Sequence, residues 1–180
     1  MRLLLFSLSV ILLAFGCQRS TDGTRLLEVT YPPIDFVIPA GQPNFQTLVI
    51  AQDGLATRFV EEMMANNVDP SDIDLVGGLR GRVTSLDGQD LGELERIELR
   101  ACPIGQPNGC NQFDILFSVD DLFRRRDQVV NLNPGLRNFR NLFVGNDNIR
   151  IEIVLTPGLT TSITVEARLE WSVTAIGDLD

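Results

Sequence analysis

From Ile163 to Ala175 apolar and polar residues alternate without a break. Ile163, Val165, Ala167, Leu169, Trp171, Val173 and Ala175 interleave with Thr164, Glu166, Arg168, Glu170, Ser172 and Thr174. A side-chain period of two puts each set on its own face of a β-strand. Trp171 shares its parity with Leu169 and Val173, so it reads as a core residue and not as a sugar-stacking surface. Upstream, Ile149, Ile151, Ile153 and Leu155 alternate with Arg150, Glu152 and Val154, and Thr156-Pro157-Gly158-Leu159-Thr160 supplies a turn. The two runs predict an antiparallel hairpin.

Shorter apolar runs at Leu26–Tyr31, Ile34–Ile38, Phe45–Gln52 and Ile73–Ser85, the last broken at Gly77-Gly78, together with the two runs flanking Cys102 and Cys110, bring the count to about eight strands separated by Gly, Pro and Asn turns. That pattern predicts a mainly β chain, an antiparallel immunoglobulin-like β-sandwich with one or two short helical inserts. In the first insert Leu55, Phe59 and Met63 recur at helical spacing, with Arg58, Glu61 and Glu62 outward and Asp53 as the cap. The second is a short turn after Asp120, over Asp121-Leu122-Phe123-Arg124-Arg125-Arg126.

Charge narrows the chemistry. The 180 residues carry 24 acids against 15 basic residues, a net charge of -9, and every basic residue is arginine. An acidic surface of this kind argues against nucleic acid as a partner. With no histidine, a serine triad, a Cys-His dyad and the commonest zinc ligand are missing. With no lysine, Schiff-base and P-loop chemistry are missing too.

The amino-terminal run Arg2-Leu3-Leu4-Leu5-Phe6-Ser7-Leu8-Ser9-Val10-Ile11-Leu12-Leu13-Ala14-Phe15-Gly16-Cys17 has one basic residue, an apolar stretch, small residues and then a cysteine. It resembles the signal of bacterial lipoproteins. The resemblance implies that residues 1–16 are removed and that Cys17 becomes the lipidated first residue of a mature chain of 164 residues. Residues 17–25 then form the lipidated cysteine and a polar tether, and 26–180 a single β-sandwich domain. Gln18 in place of Asp implies, by the same resemblance, the outer membrane and not the inner. Attachment would rest on acyl chains, since the acidic surface offers anionic head groups nothing.

An exported context makes Cys102 and Cys110 a disulfide pair. If they face each other, the residues flanking them form a hairpin in which Leu99 faces Phe113, Ile97 faces Ile115 and Glu95 faces Phe117, with the disulfide on the outer surface at the tip.

Three clusters could carry binding chemistry. Arg124, Arg125 and Arg126 are a concentration of cations suited to an anionic partner, unless Asp120, Asp121 and Asp127 simply neutralise a solvated turn. Asp69, Asp72 and Asp74, or Asn146-Asp147-Asn148, offer oxygen ligands for calcium. Against this, Asp69-Pro70-Ser71-Asp72 also reads as a helical cap, and the asparagine segment as a turn. Carboxylates at Asp72 and Asp74, or Asp87 and Asp90, could hydrolyse a glycoside if the fold brought a pair together. The sequence therefore predicts a lipid-anchored, non-enzymatic envelope protein that holds a partner protein or a glycan and needs no cofactor. A calcium- or small-ligand-binding module comes second, and a carboxylate-based hydrolase third.

Overall fold

The computed structural model describes residues 23–178. Cys17, the leader and the expected tether up to residue 22 lie outside them. The strands are β1 (Thr24–Thr30), β2 (Ile34–Ile38), β3 (Leu48–Ala56), β4 (Ile73–Ser85), β5 (Leu94–Cys102), β6 (Ile115–Val119), β7 (Val129–Pro134), β8 (Asn148–Pro157) and β9 (Val165–Gly177). Helix α1 spans Phe59–Asn66 and the single-turn helix α2 spans Arg140–Phe143. The described chain is mainly antiparallel β with two short helices, the class that the alternation predicts. β1 starts at Thr24, two residues inside the segment expected as tether.

The strands form one hydrogen-bonded path in the order β1-β9-β4-β7-β6-β5-β8-β3, and β2 pairs with the free stretch of β9. The link between β6 and β7 is narrow, resting on Phe117 opposite Pro134 and Ser118 opposite Asn133. Around it the sheet curls over a common core. Leu169, Trp171 and Val173 of β9 belong to the same buried cluster as Leu99, Phe117, Ile151 and Leu155 from the other half. Phe117 reaches across to β4, where a Cβ on Gly78 would stand 2.6 Å from its ring. Glycine is needed there for contact, so Gly77-Gly78 lies inside a continuous β4 instead of breaking it.

Strand identity follows the sequence more closely than strand pairing does. β8 and β9 are not a hairpin. β8 lies between β3 and β5, whereas β9 lies among β1, β2 and β4. Both strands are buried on much of both faces, so each needs two neighbours, which one tight turn cannot supply. The connection instead crosses between the halves, fixed where Thr161 Oγ1 donates to the Pro39 carbonyl at 2.6 Å and Gly158 N–H to the Glu93 carbonyl at 2.8 Å.

The β5–β6 hairpin exists in a different register. Leu99 faces Phe117 and Ile97 faces Val119. The slip of four residues, an even number, keeps Ile97, Leu99 and Phe117 inward, which is why that part of the apolar face survives it. Residues 111–114 form a turn, with Asn111 N–H donating to Asp114 Oδ2 at 2.8 Å and Phe113 N–H to Asn111 Oδ1 at 2.7 Å. Phe113 is therefore not in the ladder and is largely exposed. The Cys102–Cys110 disulfide is present, with Cα atoms 5.4 Å apart, but it is buried and not on the outer surface. Cys102 pairs with Arg150 on β8, and the 103–110 loop folds back over that strand.

The helical inserts also differ in detail. Phe59 and Met63 are the buried face of α1 as expected. Leu55, however, belongs to β3, and Asp53 caps nothing: its carboxylate accepts from Arg150 Nη1 at 2.8 Å. The second helix is α2, not the segment after Asp120, where Asp121 and Arg124 adopt left-handed φ values of 59° and 67°.

Candidate functional site

A β-bulge in β4 decides which side chains face outward. Val76 and Gly78 point into the core, and an unbroken period of two would turn residue 80 inward as well. The register instead shifts between Gly78 and Arg80, with Leu79 as the extra residue. Parity flips: Gly81 and Val83 face the core, and Arg80 and Arg82 face out.

These arginines enter a groove of about 530 Å³ on the outward face, crossing β1, β9, β4 and β7. One row across the sheet runs Asn131, Arg82, Glu170, and the next runs Arg80, Ser172, Thr30. Arg82 Nε donates to Glu170 Oε2 at 3.0 Å, and Arg80 Nη2 lies 3.3 Å from Glu28 Oε1. Two arginines and two glutamates thus cancel inside the groove, on a chain of net charge -9. Ser172 is part of the lining. It is buried, and its Oγ has no hydrogen-bond partner among the described residues.

The clusters predicted from sequence fall elsewhere. Arg124, Arg125 and Arg126 are all exposed, held by the buried Leu122 and by Arg124 N–H donating to the Gly92 carbonyl at 2.8 Å. The expected neutralisation by Asp120 does not occur, because that carboxylate pairs with Arg96. No ion pair involves the three arginines among the described residues; Arg124 instead lies over the Phe123 ring, 5.0 Å from its centroid.

Asp69 and Asp72 form a capping box on the 3-10 turn Pro70–Asp72. Hydrogen bonds from the Ser71 hydroxyl and N–H hold the Asp69 carboxyl below the usual aspartate range. Asp74 is exposed on β4. Asn146 closes the end of α2, its side-chain amide donating to the Leu142 carbonyl at 2.9 Å. Asp87 and Asp90 fix the turns at the far end of β4, and Asp90 Oδ1 accepts from Gly92 N–H at 2.9 Å. Among the described residues no three metal-ligating side chains converge. Trp171 stacks on Tyr31 in the core, centroids 4.1 Å apart and planes 6° from parallel.

The groove itself was missed from sequence. Its one signal was the change of parity along β4, where Val76 and Val83, both buried, lie at positions of opposite parity. No protein-family model and no curated protein matches the chain. Among solved structures it is similar to a chain in the three-dimensional structure of Cocksfoot mottle virus, at 8% identity over 92% of each chain and a TM-score of 0.28. A likeness that distant says nothing about function.

Proposed function

We propose that the chain is a lipid-anchored envelope protein, held at the outer membrane through Cys17, whose β domain binds a partner protein or glycan and does no chemistry. The leader supplies the address. The observation that carries the binding role is the arrangement along β4. Thr24, where β1 begins, is paired with Gly177 beside Ile73 at the start of this strand. The Arg124–Arg126 turn lies near its other end, where Ser85 N–H bonds the Gln128 carbonyl. Thirteen residues at about 3.3 Å each separate the two ends by about 40 Å, with the groove between them. A domain tethered at Thr24 therefore offers both the groove and the arginine turn away from its attachment point.

The carboxylates named for a hydrolase lend that reading no support, since Asp72 is held in a capping box, Asp87 and Asp90 accept hydrogen bonds within turns, and neither pair lines the groove. Calcium binding keeps a direct check, because a ligand selective for the folded state raises the melting temperature with its concentration.

The test is crosslinking in intact cells, purification in mild detergent and mass spectrometry of what comes with the protein, with Cys17→Ser as the unanchored control. An acylated amino terminus and a specific partner or glycan, depleted in the control, are the expected result. An unmodified Cys17, or acylated protein with no companion, overturns the reading.

A further inference from the structure

We propose that the groove across β1, β9, β4 and β7 is a binding site for a neutral oligosaccharide. This rests on the binding role argued above and narrows it to one ligand class. The charges in the groove select against ions. Both guanidinium groups already face carboxylates, Arg82 on Glu170 and Arg80 on Glu28, so the lining offers no net charge to favour an anion or a cation over a neutral ligand. A sugar hydroxyl is both donor and acceptor, so it inserts beside such a pair without separating it, donating to the glutamate and accepting from the arginine. The Asn131 amide, next to Arg82 in register, adds a further donor and acceptor.

Ser172 supplies the second observation. A buried hydroxyl without a partner is disfavoured in a finished fold, and here it lies in the groove lining between Arg80 and Thr30. Of the two pairs Arg80–Glu28 is the looser, at 3.3 Å with the Arg80 side chain 75% exposed, so it alone opens to let a ligand hydroxyl reach Ser172 Oγ while Arg82–Glu170 stays closed. The groove is open and its charged walls are partly solvated, so affinity is modest, with Kd on the order of 0.1 to 1 mM. Such a site gains its strength from several sugar units lying along the sheet or from many anchored copies meeting one polymer.

The full chain, in a detergent without sugar head groups, is titrated with the fully N-acetylated, uncharged chitotetraose and separately with tetragalacturonate, followed by saturation-transfer NMR. Arg82→Gln/Glu170→Gln removes the charged pair without changing net charge. Ser172→Ala removes the unpartnered hydroxyl, and Gln106→Ala, exposed on the disulfide loop over β8, is the remote control. Saturable chitotetraose binding, weakened about tenfold in the double variant, weakened in Ser172→Ala and unchanged in Gln106→Ala, is the expected result. Tetragalacturonate should bind at least tenfold more weakly, by the same arithmetic. Absence of saturable binding, equal binding by the double variant or preference for the anionic sugar overturns the proposal. Should the double variant fail to fold, Ser172→Ala decides, and unchanged affinity there is fatal. A partner protein captured in cells without any oligosaccharide binding would sink this ligand class and leave the anchored binding role standing.

Discussion

The phenolic hydroxyl of Tyr31 donates to the backbone carbonyl of Thr57 at 2.6 Å, and both residues are buried. Tyr31 follows β1 and Thr57 follows β3, the two outermost strands of the hydrogen-bonded path. Side-chain bonds thus join the ends of the sheet where no ladder does, Arg58 Nη1 adding a longer one to the Thr30 carbonyl at 3.4 Å. Thr57 is fixed in turn, its N–H donating to the Asp147 carbonyl and its hydroxyl to the Asn146 carbonyl, each at 2.8 Å.

Removing that hydroxyl leaves a buried carbonyl unsatisfied, so Tyr31→Phe should cost about 1 to 2 kcal/mol in urea unfolding. Burial also pushes the phenol well above its ordinary value of 10.0. A raised value favours the neutral form in the folded state. Its contribution is complete below the unfolded value and is lost as pH rises through the folded one. The folded protein should therefore resist ionisation and unfold in base above about pH 10. Tyr31 is the one tyrosine in the chain, so tyrosinate absorbance reports this group alone. It should rise together with the loss of β-sheet circular dichroism, and a clean titration at the ordinary value in folded protein would refute the account.

Which segments become strands was legible because alternation is local. β9, β8 and β2 lie where their apolar periods placed them. Pairing was not legible, because it depends on how many faces of a strand must be covered. β8 gave the warning, with Val154 apolar on the side that alternation assigns to solvent, and it proves buried. The groove was hidden for a related reason: Arg80 and Arg82 share an outward face only after the extra residue Leu79 is counted.

Gly78 tests how closely the two halves of the sheet pack. An added methyl would stand 2.6 Å from the Phe117 ring and 2.9 Å from the Leu116 carbonyl, and the latter is backbone that cannot rotate away. Gly78→Ala should destabilise by about 1 to 3 kcal/mol as overpacking. Combining it with Phe117→Leu should recover part of that loss, since the ring supplies half of the clash. A neutral Gly78→Ala would mean that β4 and β6 lie farther apart than described.

The disulfide and Gly109 hold one loop by separate means. Cys102→Ala/Cys110→Ala opens a nine-residue ring and should cost about 2.5 kcal/mol on the chain-entropy account. Gly109 has φ 71°, and a Cβ there would stand 2.2 Å from Glu152 Oε1, a buried carboxylate held by Arg150 Nε at 2.7 Å. Gly109→Ala should therefore cost about 1 to 2 kcal/mol with the disulfide intact. Without the disulfide the loop can lift off β8, so the Gly109→Ala penalty should shrink in the double-cysteine background. Equal penalties in both backgrounds would show that the loop is held in place without its staple.

Asp87 gives the fold an acid-sensitive clasp between β4 and β9. Its Oδ2 accepts from Glu166 N–H at 3.0 Å and its Oδ1 from the Ser85 hydroxyl at 2.8 Å, just before Leu86 N–H bonds the Glu166 carbonyl at 2.7 Å. The Glu166 N–H, foremost among these donors, lowers the carboxyl below its ordinary value of 3.8. A depressed value means stability that is present above the unfolded value and lost as pH falls through the folded one. Asp87→Ala should lower the melting temperature at neutral pH, and its difference from the parent should close as the pH drops below about 4. Other carboxylates titrate in the same range, among them Asp35, held low by Arg168, so the informative quantity is the difference between the two proteins and not either curve alone. A difference that stays constant from neutral pH to acid would mean that Asp87 acts by packing and not by charge.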